Sequence, residues 1–487
     1  MKKQLAGILA LAMSLSMASC SSDTGSGEAA DETTTTAAAV KDETTAKADD
    51  GDTEASQDEE QETTAESVEA TDDSYFEKAL AMLPDAELKR AYQEVKVYSN
   101  YNPPELAVQL FEQKYGGTVS VYYNDTDLSN YIYSGEGIDL YMTDGYYDLP
   151  KLITINTNTG FIVPFDDYID LDSDIWQDTR DYMELYNFGG KHFNIVTNVS
   201  ASYACYYNKK TIEEYGFDDP WELYKAGNWN WDTMKSMLSK FADEEDLRYG
   251  LDGSYQDALY MSAGVPMVSL SDGKLVGNGA DKTFLTALDF GQELFNNRLL
   301  LPLEDYGYNY QPQMLDDGDL LFYIGGAWEL NTAPEKWSME VSPEDIGVVP
   351  VPSPAGSDPY QKVSVTGCAF VKNSENPEGA ALFAMCLALA YNDSGIIAAN
   401  EQKQKDEYGL SDQIIAQLNE INELAKQYPV VEHAYGDFDI YYYLRNDYNP
   451  VNAAFSGQTL DSGFANSLSV TLEQVNNNIQ KAIENLG

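Results

Sequence analysis

Side chains that could hold a ligand stand at the ends of predicted strands. Tyr101 and Asn102 follow one β-like run, Asp144 and Tyr146 follow another, and Trp328 follows a third after a pair of glycines. Ligands of parallel α/β sheets bind beyond the carboxyl ends of the strands, so these loops are candidate binding loops. Aromatic rings can cover apolar faces of a ligand, and amide and carboxylate groups can bond to its polar groups.

The sequence offers little for metal or covalent chemistry. His192 and His433 are the only histidines and lie far apart, which argues against a His-rich metal site. No phosphate-cradling glycine motif, zinc-ligand spacing or Gly-x-Ser-x-Gly elbow occurs. We therefore expect no metal, no cofactor and no catalytic residue.

One acidic segment has a pattern close to that of a calcium-binding loop. Residues 170–181 begin with alternating aspartates, as a calcium loop does, but Ile175 and Asp181 occupy the positions of the usual Gly and Glu. A solvated acidic loop is the favoured interpretation, and calcium binding stays open.

The three cysteines after Cys20 are an odd number, so at least one is free, and packing roles are favoured for all three: Cys205, Cys368 and Cys386.

The charge of the chain excludes some partners. Its 487 residues carry 29 Lys+Arg against 81 Asp+Glu, a net charge of −52. Nucleic acids and anionic membrane surfaces attract basic patches, so the folded part should bind neither. Strong self-repulsion also leads us to expect a monomer.

The N-terminus has the pattern of an export signal. Met1-Lys2-Lys3 precedes a short apolar run, and small residues lead to Cys20, so residues 1–19 are predicted to be a signal peptide. The Cys directly after Met17-Ala18-Ser19 resembles a bacterial lipoprotein signal, which implies that Cys20 becomes a lipidated N-terminus. An ordinary secretory signal with an incidental Cys is the alternative.

Residues 20–73 are predicted to be a disordered tether. The stretch after Cys20 is rich in Thr, Ala, Glu and Asp and has no aromatic residue, so it cannot bury enough apolar surface to order itself. As a flexible coil it would span on the order of 40 Å. Such a tether is typical of a Gram-positive protein held on the extracellular face of the cell membrane by its lipid alone.

The remainder alternates strand and helix patterns, which indicates an α/β fold with a parallel sheet. We predict a helix over 75–93, then strands at Val95–Tyr98, Thr118–Tyr123 and Ile138–Met142, with a helix over Glu105–Tyr115 between the first two. Further along, Asp232 is a candidate N-cap of an amphipathic helix.

The order of several weak motifs, from about Val95 to the C-terminus, resembles the extracellular solute-binding proteins of ABC importers, in particular the group that captures sugars. The matching segments are Phe165-Asp166-Asp167-Tyr168, Tyr206-Tyr207-Asn208-Lys209, Asn230-Trp231-Asp232, Leu315 to Trp328, Val349-Pro350-Val351-Pro352 and Gly367 to Pro377. One departure is Asp319-Leu320, where the family pattern has Lys-Ala.

The resemblance implies a type II periplasmic-binding-protein-like fold, in which two α/β lobes are joined by a hinge around a ligand cleft. It places residues 74–200 and 353–395 in lobe 1, and residues 201–352 and 396–487 in lobe 2. The chain would cross between lobes near 201–206, 348–352 and 392–400.

The resemblance also implies the ligand and partners. Trp328 matches the cleft tryptophan that stacks on a sugar, and Trp229, Trp231 and Cys368 are further cleft candidates, each with packing as the alternative. The protein would capture a sugar or oligosaccharide and deliver it to ABC permease subunits. A secreted carbohydrate-processing enzyme and a surface sugar receptor that feeds a sensor are the alternatives.

Overall fold

The computed structural model describes residues 73–88, 93–123, 128–143, 149–154, 160–392, 394–446 and 448–486. The predicted signal peptide, Cys20 and all but the last residue of the predicted tether lie outside the described residues, as do Asp144 and Tyr146.

The strands are β1 (Glu94–Ser99), β2 (Thr118–Tyr123), β3 (Leu140–Thr143), β4 (Ile162–Val163), β5 (Asn187–Phe188), β6 (Lys191–His192), β7 (Ile195–Ala201), β8 (Tyr203–Asn208), β9 (Tyr249–Gly253), β10 (Val268–Ser271), β11 (Lys274–Gly277), β12 (Leu320–Gly326), β13 (Ile346–Val349), β14 (Gln361–Val371) and β15 (Pro429–Val430).

The α-helices are α1 (Asp73–Met82), α2 (Glu105–Tyr115), α3 (Leu128–Ser134), α4 (Leu149–Thr154), α5 (Arg180–Met183), α6 (Lys209–Glu214), α7 (Pro220–Lys225), α8 (Trp231–Phe241), α9 (Tyr255–Met261), α10 (Lys282–Asn296), α11 (Met314–Asp317), α12 (Pro377–Tyr391), α13 (Ser394–Asp406), α14 (Asp412–Gln427), α15 (Phe438–Asn446), α16 (Pro450–Phe455) and α17 (Phe464–Glu484). Short 3₁₀ turns lie at Asp174–Trp176, Glu184–Tyr186, Glu244–Asp246, Leu303–Tyr306, Glu329–Asn331, Pro334–Lys336 and Ala434–Gly436.

The first sheet has the strand order β15-β14-β3-β1-β2, and β4 and β7 also pair with β14. Strands β1, β2 and β3 are parallel, while β14 is antiparallel to both β3 and β7. The carboxyl ends of β1, β2, β3 and β7 therefore point to the same edge, which we call the carboxyl edge of the first sheet. This is the edge at which a ligand of a parallel sheet is expected.

The second sheet has the order β13-β8-β12-β9. The chain passes from the first sheet to the second between Ala201 and Tyr203 and returns between Val349 and Gln361. At the first crossing, Ser202 N donates to Lys362 O at 2.9 Å and Ala327 N donates to Ser202 O at 3.1 Å. These crossings join the two lobes of the fold. Within the predicted lobe 2 range 396–487, β15 pairs with β14 of the first sheet.

Most predicted elements are confirmed, although β3 begins at Leu140 rather than Ile138, and one helix and one N-cap are corrected. Helix α2 is as predicted and ends at Gly116, which takes the left-handed conformation at φ 66°. The helix predicted over 75–93 ends at Met82, and residues 83–88 are not helical, because Pro84 cannot continue a helix. The N-cap of α8 is Asn230 rather than Asp232, since Asn230 Oδ1 accepts from the amides of Asp232 and Thr233, each at 3.1 Å.

Among the residues that the structure describes, no single helix is long and apolar enough to cross a membrane. The pair α12 and α13, bent by 44° where they meet, passes that test together on length and composition alone.

Candidate functional site

A cavity of about 430 Å³ lies between the carboxyl edge of the first sheet and the end of β12 in the second sheet. Helices α13 and α14 close its remaining side. The lining residues are Tyr101, Asn198, Val199, Ser200, Ala201, Ser202, Ala327, Trp328, Asn331, Ser364, Thr366, Tyr391, Asn392, Ile396, Ile397, Asn400, Asn419, Asn422, Glu423 and Lys426. Its volume falls within the range of about 300–1,000 Å³ that is usual for small-molecule sites.

The wall formed by the first sheet presents short polar side chains. Asn198 pairs with Thr366, and Ser200 pairs with Ser364, in the antiparallel ladder of β7 and β14. All four are partly exposed, whereas the intervening Val199 and Val365 are buried. Alternation along a strand thus directs hydroxyl and amide groups to one face and aliphatic groups to the core.

A stripe of polar residues on α14 forms a second wall. Asn419, Asn422, Glu423 and Lys426 follow the spacing i, i+3, i+4, i+7 and so share a face of the helix. Asn422 Oδ1 accepts from Ala201 N at 3.0 Å, which ties this wall to the end of β7. Glu423 and Lys426 form an exposed ion pair at 2.9 Å, so together they add no net charge to this wall.

Asparagines at the ends of the cavity are also held in place. Asn392 donates from Nδ2 to Thr197 O at 3.0 Å and to Ala388 O at 2.9 Å, which leaves its amide oxygen for a ligand. Asn331 Oδ1 accepts from Gln404 Nε2 at 2.6 Å. These bonds orient the amides before any ligand arrives, which lowers the entropic cost of binding.

Trp328 contributes an indole ring at the end of β12. The ring folds back over Gly326, where an added Cβ would lie only 2.2 Å from the indole nitrogen, so this conformation requires glycine. Trp328 Nε1 is buried with no hydrogen-bond partner among the described residues. The next residue, Glu329, is buried and accepts from both the amide and the hydroxyl of Ser338, which fixes the turn.

Two tyrosines line the cavity from the side of the first sheet. Tyr101, which follows β1, is 7% exposed, and its side chain is hydrogen-bonded to that of Tyr391 at the end of α12. Burial raises the pKa of Tyr391, and the bond to Tyr101 offsets this only in part. Tyr391 is therefore neutral at physiological pH, so it can both donate and accept a hydrogen bond.

Comparison with known proteins identifies the chain. The family model of the bacterial extracellular solute-binding proteins matches residues 99–390, more than half of the chain. The chain belongs to this family. No curated protein sequence matches it.

Solved structures share the fold of this solute-binding protein. An ABC substrate-binding protein of Listeria monocytogenes, Lmo0181, in complex with cycloalternan, is 15% identical and has a TM-score of 0.51, with 80% of this chain and 99% of that chain covered. A cyclo/maltodextrin-binding protein complexed with maltotetraose is 16% identical with a TM-score of 0.53, covering 80% and 96%. An extracellular solute-binding protein of Staphylococcus aureus in complex with maltose is 14% identical with a TM-score of 0.52, covering 81% and 98%. The family and these neighbours are binding proteins, and the likeness confirms the two-lobed α/β fold.

Of the residues proposed from sequence, the structure brings Trp328 and Tyr101 together in the cavity. Asn102 is exposed on the neighbouring loop surface and is not among the lining residues. Asp144 and Tyr146 lie outside the described residues and stay predictions.

Trp229 and Trp231 are corrected to packing residues of this solute-binding protein. Trp229 is 7% exposed and donates from Nε1 to Pro350 O at 2.8 Å. Trp231 is 5% exposed, donates to Ser262 Oγ at 3.1 Å and stacks on Phe290 with 4.3 Å between ring centroids. Each indole N–H is thus satisfied inside the protein, away from the cavity.

Cys368 is likewise corrected to a core residue. It lies in β14 between Met142 of β3 and Ile195 of β7 and is fully buried. Burial raises the pKa of its thiol well above the ordinary value, so the group is an inert thiol. Cys205 and Cys386 are also buried and free.

The acidic loop shows no metal-binding arrangement. Within the described ranges, no group of three or more His, Cys, Asp or Glu residues is placed to hold a metal ion. Asp170 Oδ1 instead accepts from Asp172 N at 3.0 Å, and Ser173 caps the turn that follows.

The sequence alone does not predict the asparagines that dominate the site. They come from distant segments, and an asparagine looks the same in a loop and in a binding wall. The sequence carries one signal on α14, where Asn419 and Asn422 stand three positions apart and so lie on one side of the helix.

Proposed function

We propose that this solute-binding protein captures an uncharged sugar or oligosaccharide in the cavity and delivers it to ABC permease subunits. The observation that carries the proposal is the composition of the walls. Amides and hydroxyls line them beside the rings of Trp328, Tyr101 and Tyr391, and the Glu423 and Lys426 charges pair with each other. Sugars present hydroxyl groups around flat C–H faces, so neutral polar groups beside aromatic rings match them.

The neighbours support a carbohydrate ligand by analogy of fold. Their structures contain cycloalternan, maltotetraose and maltose. A charged solute such as a peptide or an amino acid would require an unpaired charge in the site, since burying an uncompensated charge is costly. The sensor alternative uses the same cavity and differs only in the partner.

We propose binding without catalysis. Glycoside hydrolysis uses two carboxyl groups about 5–10 Å apart that flank the scissile bond. Among the described residues that line the cavity, Glu423 is the only carboxylate, and it is paired with Lys426. Incubation with an oligosaccharide that binds, followed by chromatography, should return the sugar intact. Release of shorter sugars would favour the enzyme alternative.

A thermal-shift screen tests the ligand class. The panel contains maltose to maltohexaose, β-1,6-galactobiose with longer β-1,6-galacto-oligosaccharides, and, as charged controls, amino acids and tripeptides. A ligand at 100 times its Kd should stabilise the protein by about 2.7 kcal/mol. Stabilisation by a charged solute and by no sugar would contradict the proposal.

We further propose that Cys20 carries a lipid and that residues 20–73 tether the lobes to the extracellular face of a Gram-positive membrane. The small residues before Cys20 and the acidic Thr/Ala-rich composition support this proposal. Cys20→Ala should move the protein from the membrane fraction to the medium. A variant that stays membrane-bound after signal processing would contradict the anchor.

A further inference from the structure

A half-exposed tyrosine stands on the same edge of the first sheet as the cavity. Tyr123 is the last residue of β2 and is 46% exposed. In the parallel register it pairs with Ser99, the last residue of β1. The loop that leaves Ser99 carries Tyr101, which lines the cavity. Tyr123 therefore lies one strand further out along the carboxyl edge, on the outermost strand of the sheet.

Tyr123 is held in place by the residue that follows Tyr101. Tyr123 Oη donates to Asn102 Oδ1 at 2.6 Å. Asn102 stands between the buried Tyr101 and the buried Pro103 and Pro104, which restrict its backbone. The bond uses the amide oxygen of Asn102, so the amide N–H groups can donate to another acceptor.

Single exposed tyrosines are common and often have no role. This one differs because its hydroxyl is fixed by an amide on the loop that leads into the cavity. Its neighbour Tyr122 packs edge-on against Tyr131, with 5.3 Å between centroids, which supports the end of β2 from behind. The result is a fixed ring and a fixed amide donor on the surface beside a cavity.

We propose that Tyr123 and Asn102 form a second sugar-binding position outside the cavity, so that the ligand is an oligosaccharide running from the cavity across the carboxyl edge of the first sheet. This rests on the proposed sugar-binding function. The ring of Tyr123 stacks on a sugar face, and Asn102 donates to a hydroxyl. A cavity of about 430 Å³ holds a short sugar, and a longer chain must leave it.

The test compares short and long sugars of one type. The sugar series with the largest thermal shift is chosen from the panel above, and its shortest and longest binding members are titrated by calorimetry into the full chain. In the wild type, we expect the longer sugar to bind more tightly. In Tyr123→Ala, that gain should shrink by about three- to tenfold, the range for one aromatic contact. Tyr123→Phe, which keeps the ring, should retain most of the gain.

Tyr133→Ala is the matched control, because Tyr133 is 69% exposed but lies at the end of α3, the helix that returns from the carboxyl edge. It should leave the gain unchanged. Equal affinity for short and long sugars in the wild type, or an unchanged gain in Tyr123→Ala, would overturn the second position while the proposed function stands. If no sugar binds, both fail.

Discussion

At the scale of single residues, tryptophans of one lobe serve opposite purposes. Trp231 is enclosed, stacked on Phe290 and hydrogen-bonded inside the protein. Trp328 is partly exposed and lines a cavity, while its indole nitrogen is buried against Gly326. An indole whose polar atom is satisfied stabilises the fold, whereas an indole that faces an open cavity is available to a ligand.

Trp328→Ala should weaken sugar binding by about 1–2 kcal/mol, as expected for loss of an aromatic contact in a binding site. Calorimetric titration of the sugar selected by the thermal-shift screen measures this. The fold should survive, since the side chain borders an existing cavity. Tyr442→Ala is the control, because Tyr442 is 57% exposed and lies outside the cavity.

Trp231→Ala should lower the unfolding free energy and leave the sugar affinity of the folded protein largely unchanged, the reverse of Trp328→Ala. Removing a buried aromatic side chain costs about 3–5 kcal/mol of unfolding free energy. Urea denaturation without ligand should show that loss. If Trp231→Ala unfolds at the wild-type urea concentration but loses sugar affinity, the indole is a ligand contact and not a packing residue.

At the scale of elements, the sequence predicts individual strands and helices better than it predicts which side chains they bring together in the cavity. Helix α2 and strand β2 match the predicted bounds because their signals are local. A proline precedes α2, a glycine pair follows it, and β2 contains β-branched residues. The position of Trp328 beside the cavity was predictable from the sequence, because the residue follows a glycine pair at a strand end. The amides of Asn392 and Asn422 were not, because their contacts with Thr197 and Ala201 depend on tertiary packing.

The short hairpin of β5 and β6 is stabilised by contacts between His192 and two carboxylates. His192 of β6 bonds through Nδ1 to Asp166 at 2.7 Å and through Nε2 to Glu184 at 3.1 Å, and Asn187 lies 3.4 Å from Nε2. Burial lowers the pKa of the imidazole, but the two carboxylates more than offset this, so the pKa of His192 is raised.

A raised pKa means that folding favours protonated His192. Its contribution to stability is complete below the ordinary histidine pKa of about 6.5 and is lost as pH rises through the higher folded value. His192→Gln should therefore reduce the unfolding free energy more at pH 5.5 than at pH 8.5. Urea denaturation of both proteins at both pH values measures the difference. An equal loss at the two values would contradict the stabilisation of protonated His192 by Asp166 and Glu184.

At the scale of the whole molecule, the cavity lies where the two sheets join. Its walls come from β7 and β14 of one sheet, from the end of β12 in the other, and from α14. A ligand that contacts both lobes can shift their relative position only through a higher affinity for one arrangement. The crossings at 201–203 and 349–361 are the segments at which a hinge motion would be absorbed.

Sugar at saturation should lower the radius of gyration in small-angle X-ray scattering of residues 73–487, because closure of the lobes makes the molecule more compact. A sugar that does not stabilise the protein in the thermal-shift screen is the control. An unchanged radius with bound sugar would leave capture intact but contradict hinge closure.

The crystal structure of the protein with the sugar that stabilises it most is the most direct test of capture in this cavity. We predict a sugar ring against the Trp328 indole, with hydroxyls bonded to asparagines of the walls such as Asn198 and Asn392. A sugar bound elsewhere, for example in the groove between β11 and α17, with this cavity holding only water, would contradict the account.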